Sequence, residues 1–127
     1  MQKYLVKKTE CLVAKAKDPK RTLYLYVDKE MGAENISGGS ADIPVNSELP
    51  YHAHESEEEI MFIYRGKGQL VVEGDTFELV PETMVFIPKG LKHTFKNTGA
   101  EPLSFCFFYA PSGPEQNIRK MVTENNK

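Results

Sequence analysis

No helical period in this chain outlasts the next turn signal, because eight prolines and nine glycines cut it into short runs. Runs that short fold most readily as strands. Thr22 to Val27 is the clearest, with Leu23, Leu25 and Val27 on one face and Tyr24 and Tyr26 on the other. Tyr4-Leu5-Val6 reads as an earlier strand, with Asp18-Pro19-Lys20-Arg21 as the turn before Thr22. Asn35 to Asp42 is rich in Gly and Ser and makes a poor strand. Ile60 to Tyr64 is apolar on both faces, which predicts a strand covered on both sides. Turns at Gly66-Lys67-Gly68, Glu73-Gly74-Asp75, Pro81-Glu82-Thr83, Pro88-Lys89-Gly90 and Asn97-Thr98-Gly99 then separate five more runs: Gln69–Glu73, Thr76–Val80, Met84–Ile87, His93–Lys96 and Leu103–Tyr109. Strands spaced this regularly predict an all-β sandwich or barrel. After Pro111 the character changes. Ser112 and Glu115 have the spacing of a capping box, and Ile118, Met121 and Val122 share a helical face, so a short helix is expected over about 113–122. The tail, Thr123 to Lys127, is expected to fray.

Composition narrows the function classes. A chain of 127 residues makes one domain, its barrel expected over about 22–111, with a core large enough to need no disulfides. No apolar run approaches the roughly 20 residues of a membrane-spanning helix. Met1 to Lys8 is charged and lacks the apolar stretch of a secretory signal. A net charge of −2 gives no electrostatic reason to expect nucleic acid as a partner. Cys11 and Cys106 cannot build a disulfide framework. The expected setting is the cytoplasm, with neither membrane nor nucleic acid as a partner.

Three histidines carry the chemistry. His52 and His54 are two apart, a spacing that puts both imidazoles on one face of an extended strand. Glu59 follows five residues later and His93 enters just after the Pro88-Lys89-Gly90 turn. Three imidazoles and a carboxylate suit a divalent transition metal, with positions left open for water or substrate. Glu55, Glu57 and Glu58 read as a solvated acidic turn.

The segment His52-Ala53-His54, four residues, Glu59, six residues, Gly66 resembles the first signature of the cupin superfamily. Pro88-Lys89-Gly90-Leu91-Lys92-His93, three residues, Asn97 resembles the second. The resemblance extends over about Ile43 to Pro111. It implies a small jelly-roll barrel, a homodimer joined through its N-terminal strands, and His52, His54, Glu59 and His93 as ligands of one divalent metal per chain. Iron or manganese is favoured, with zinc or nickel next. Two positions depart from the pattern: Asn46 and Glu82 stand where the family usually has glycine.

Strand alternation sets the expected pocket. If Glu59 points inward, so do Met61 and Ile63, and Arg65 shares their parity at the strand end. Phe95 follows His93 on the same face. Tyr24 and Tyr26, or their leucine neighbours, form the opposing wall. Arg65 is the one inward cation that parity offers, too few for a sugar phosphate, and stands as the candidate catalytic side chain beside the metal. An apolar pocket over a metal fits a small, partly hydrophobic, oxygen-bearing organic substrate, and the cupin resemblance implies an oxygenase or a carbon–carbon cleaving enzyme such as a decarboxylase. The alternative is a metal-dependent sensor or binding domain without turnover.

Overall fold

The structure, a computed structural model, describes residues 4–125. Nine strands and one helix follow in order: β1 (Leu12–Lys17), β2 (Lys20–Val27), β3 (Ser37–Ile43), β4 (Glu58–Arg65), β5 (Gly68–Val72), β6 (Asp75–Leu79), β7 (Thr83–Ile87), β8 (His93–Asn97), β9 (Leu103–Ala110) and α1 (Gln116–Asn125). All ladders are antiparallel. One sheet runs β1-β2-β3-β9-β4-β7 and the other β6-β5-β8, with β9 inserted between β3 and β4. That return of the last strand to the middle of the larger sheet makes a jelly roll.

The core lies between the sheets. β4 buries Glu59, Met61 and Ile63 and leaves Glu58 and Ile60 exposed, the alternation of a strand with one face inward. β9 turns Leu103, Phe105 and Phe107 inward, and the Phe105 ring packs edge-on against Phe95 of β8 at 4.9 Å.

Several turns depend on left-handed backbone. Asn46 and Glu82 adopt φ of 64° and 65°, so both keep the conformation that glycine favours without having its freedom. Gly66, at φ 83°, has no substitute: a Cβ there would lie 2.3 Å from the Pro102 carbonyl oxygen.

The structure corrects several expectations of the sequence. Tyr4-Leu5-Val6 is not a strand; Tyr4 and Leu5 are exposed, and the first strand is Leu12–Lys17. The hairpin turn is confined to Asp18-Pro19, so Lys20 and Arg21 belong to β2. The outer face of Ile60–Tyr64 is not covered within the chain, since Ile60 and Tyr64 are both exposed. Cys106 lies on that same outer side, half-buried between Ser104 and Phe108. The helix starts at Gln116, because the Glu115 side chain turns back to accept from Ser37 Oγ at 2.7 Å and from the Gly113 amide at 2.6 Å. Thr123 and Glu124, expected to fray, are helical. The last two residues of that tail lie outside the described ones. Among the described residues no helix is long and apolar enough to cross a membrane.

Candidate metal centre

Backbone pairing brings the two histidine segments together. His52 and His93 exchange two hydrogen bonds: the His52 amide donates to the His93 carbonyl at 3.0 Å and the His93 amide to the His52 carbonyl at 2.8 Å. The Gly90 amide donates to the His54 carbonyl at 2.8 Å. Glu59 sits opposite Ile87 and Tyr109 in the larger sheet and points across the barrel toward the same place.

The ring nitrogens of His52, His54 and His93 that could bind a metal lie within 4.8 Å of one another. Glu59 Oε1 lies 3.4 Å from His54 Nε2 and 3.6 Å from His93 Nε2. Nδ1 of His52 faces the Pro50 carbonyl, and Nδ1 of His93 faces the Leu91 carbonyl at 2.9 Å. A carbonyl can only accept, so both Nδ1 atoms carry the proton and both Nε2 atoms present a lone pair to the centre. His52 Nε2 and His54 Nε2 are nonetheless 3.2 Å apart.

Charge follows the same logic. Burial lowers the His52 pKa, and the neighbouring His93 and His54 lower it further, which favours the neutral, ligating form. Burial alone would raise the Glu59 carboxyl, but His54 and His93 more than offset it and hold the group below the usual carboxylate range. Glu59 is only 4% exposed, and its Oε1 is a fully buried polar atom with no hydrogen-bond partner. A buried anionic oxygen without a donor costs several kcal/mol by rough reckoning. A divalent cation among these four side chains satisfies Oε1 and the converging lone pairs together, so the donor set fits a transition metal.

Above the centre opens a cavity of about 350 Å³. Its walls include Met61, Phe105, Phe107 and Tyr109, with Ile118 and Met121 of α1. Burial, and then the adjacent Glu59 carboxylate, raise the Tyr109 phenol well above its usual value.

The structure gathers His52, His54, Glu59, His93 and Met61 at this cavity and turns the remaining predicted pocket residues elsewhere. Ile63 and Phe95 share the inward parity but lie deeper in the core and do not reach the cavity. Tyr24 and Tyr26 face the other side of β2, and Leu23 forms the opposing wall. Arg65 is 54% exposed and pairs with Glu101 at 3.8 Å. The register shifts between Ile63 and Arg65, and that bulge breaks the parity on which its inward placement relied.

Several contributors escaped the sequence reading, Phe105 and Phe107 among them. Arg21 lines the cavity from β2 in phase with Leu23 and Leu25; assigning it to a turn hid that phase. Tyr109 is in phase with Phe105 and Phe107. For the α1 residues Ile118 and Met121 in the lining the sequence holds no signal, since nothing local says where a terminal helix docks.

Fold and site define a β-barrel protein with a preformed His₃Glu constellation at the base of an apolar cavity. Residues 39–109 match the cupin domain family, and the chain belongs to it. It is 27% identical over 94 residues to the polyketide synthase CurC of Streptomyces cyaneus, covering 74% of this chain and 61% of that protein. A glucose-6-phosphate isomerase of Thermococcus litoralis is 32% identical over 88 residues, covering 60% of this chain and 46% of the isomerase. The chain thus spans about three fifths or less of the length of these curated relatives. Among solved structures, a predicted oxalate decarboxylase from Thermotoga maritima superposes with a TM-score of 0.77 at 22% identity, covering 86% of this chain and all of that one. The polyketide cyclase RemF from Streptomyces resistomycificus superposes with a TM-score of 0.76 at 24% identity, covering 90% of this chain and 82% of that one. These structural likenesses show the fold.

Proposed function

We propose that this cupin is a metal-dependent enzyme for a small, largely apolar, oxygen-bearing organic substrate, which it oxygenates or cleaves at a carbon–carbon bond, decarboxylation included. The observation that carries the reading is the orphaned Glu59 Oε1, buried beside three converging imidazoles at the base of an apolar cavity. A divalent metal held by His52, His54, Glu59 and His93 would supply Lewis-acid or redox chemistry at the cavity floor.

The chain's own residues set the rest. Met61, Phe105 and Phe107, with Ile118 and Met121 of α1, favour an apolar substrate body. Tyr109 keeps its proton beside Glu59, which suits it to donate a hydrogen bond to a substrate oxygen. A relative and a structural neighbour named for polyketide synthesis and cyclisation fit a carbonyl-bearing apolar substrate. A sugar phosphate fits less well, because Arg21 is the single cation along the cavity wall among the described residues.

The test is a screen of Fe-, Mn-, Ni- and Zn-loaded protein against small organic acids, ketones and aromatic compounds, followed by oxygen uptake and mass spectrometry. Metal-dependent turnover is expected. Compounds that bind tightly and are converted by none of the metal forms would make the protein a binding or sensor domain instead.

A further inference from the structure

Arg21 is an unusual side chain to find inside a small barrel. It is 8% exposed, stands in phase with Leu23 and Leu25 on β2, and lines the same cavity as the three histidines. One hydrogen bond anchors it locally, from Nη1 to the Pro19 carbonyl at 2.8 Å. No carboxylate within the described residues pairs with it. Its remaining N–H groups are not sealed in protein either. Glu59 Oε1 is the only fully buried, unpartnered side-chain polar atom among the described residues, so the remaining guanidinium nitrogens keep some solvent access, and Arg21 is among the residues that line the cavity.

Burying an arginine without an acid is costly, and the guanidinium keeps its charge in proteins. Its five donors form a planar fork that matches a carboxylate. Glu59 cannot serve as that partner: it belongs to the histidine cluster and makes no ion pair with Arg21. Apart from the histidine cluster, Arg21 is the single cation of the lining, beside the apolar Leu23, Phe105 and Phe107, and it calls for a single negative charge on a ligand with an apolar body.

We infer that Arg21 is the specificity-determining residue of the cavity and that the substrate is an apolar monocarboxylate, its carboxylate on Arg21 and its body along Leu23, Phe105 and Phe107. This deepens the reading above and rests on the cavity being the substrate site. It does not require the metal to be bound, and that separates the two in experiment.

The probes are 3-phenylpropanoate, 4-phenylbutanoate and the primary amide of each, which keeps the shape and removes the charge. Calorimetric titration of metal-free and zinc-loaded protein compares the wild type with Arg21→Gln, and zinc content is measured on the same samples. For at least one chain length the acid is expected to bind roughly 10-fold or more tightly than its amide, in the metal-free protein as well. Arg21→Gln should bring the acid-to-amide ratio to near one while leaving zinc content unchanged. A purely structural arginine would not move that ratio. Arg21→Met, which preserves the packing of the stem, gives the same reading should the Gln variant fail to fold. Equal affinity for acid and amide in the wild type, no binding of any acid, or a preference that survives loss of the guanidinium overturns the inference. Failure of the wild type to hold zinc, with the acid preference intact, would count against the metal reading alone.

Discussion

Arg119 holds Asp28 in a two-pronged ion pair, Nε to Oδ2 at 2.6 Å and Nη2 to Oδ1 at 2.9 Å, and so fastens α1 to the residue that follows β2. Gln116 adds a third bond to the same carboxylate at 3.1 Å. Because α1 contributes Ile118 and Met121 to the cavity lining, this clamp positions that part of the wall.

Asp28→Asn should therefore cost about 1–2 kcal/mol of stability, allowing for the partial solvent access of Arg119. Amide exchange in α1 should quicken more than exchange in β4 or β9. The sign of the pH dependence follows from Arg119, which lowers the Asp28 pKa most, against the opposing effect of burial. A depressed folded-state value means that the stabilisation is complete above the ordinary Asp range and is lost as pH falls through the folded value. Wild type and Asp28→Asn should converge in stability in acid and separate towards neutrality. A gap that is constant with pH would show that the carboxylate charge is not what holds α1.

Glu82 is exposed and left-handed, which predicts an unusual gain from glycine. Relief of the Cβ clash is worth roughly 1–2 kcal/mol, and the greater freedom of unfolded glycine returns about 0.4–1 of it. Glu82→Gly should thus stabilise by about 0.5–1 kcal/mol in denaturant titrations. Asn46→Gly should gain less, since Asn tolerates the conformation. A destabilised Glu82→Gly would mean that the turn is not strained.

Much of this was legible in the chain. Short alternating runs between turn residues fix an all-β fold, and the spacing of His52, His54, Glu59 and His93 brings out the cluster. Alternation is a local rule, and it held for Met61 and failed where the ladder slipped, at Arg65. It also says nothing of depth, which is why Ile63 and Phe95 are in phase with the site yet below it. Arg21 was lost to a boundary error of two residues, and the docking of α1 at the cavity is a tertiary contact with no local signature.

We expect a homodimer. Across the outer face of the larger sheet, Phe108, Ile60 and Phe86 are register neighbours and all are exposed, with Met84 and Tyr64 beside them. A contiguous apolar row of this kind marks an interaction surface, and β1 and β7 leave two open sheet edges. Sedimentation at micromolar concentration should give twice the 14.4 kDa chain mass. Phe86→Lys should shift it towards monomer without changing metal content. A wild type that sediments as a monomer would contradict the expectation.

The measurement that bears most directly on the central claim compares Glu59→Gln with Glu58→Gln for metal content and melting temperature. Glu59 points into the cluster and Glu58, one residue earlier on β4, points to solvent. Loss of the single anionic ligand should weaken metal binding beyond the roughly 10–100-fold expected for an outer-shell partner. It should also remove the rise in melting temperature that bound metal gives by linkage. Glu58→Gln should match wild type in every respect. Full metal occupancy in Glu59→Gln, or a loss confined to Glu58→Gln, would contradict the site described.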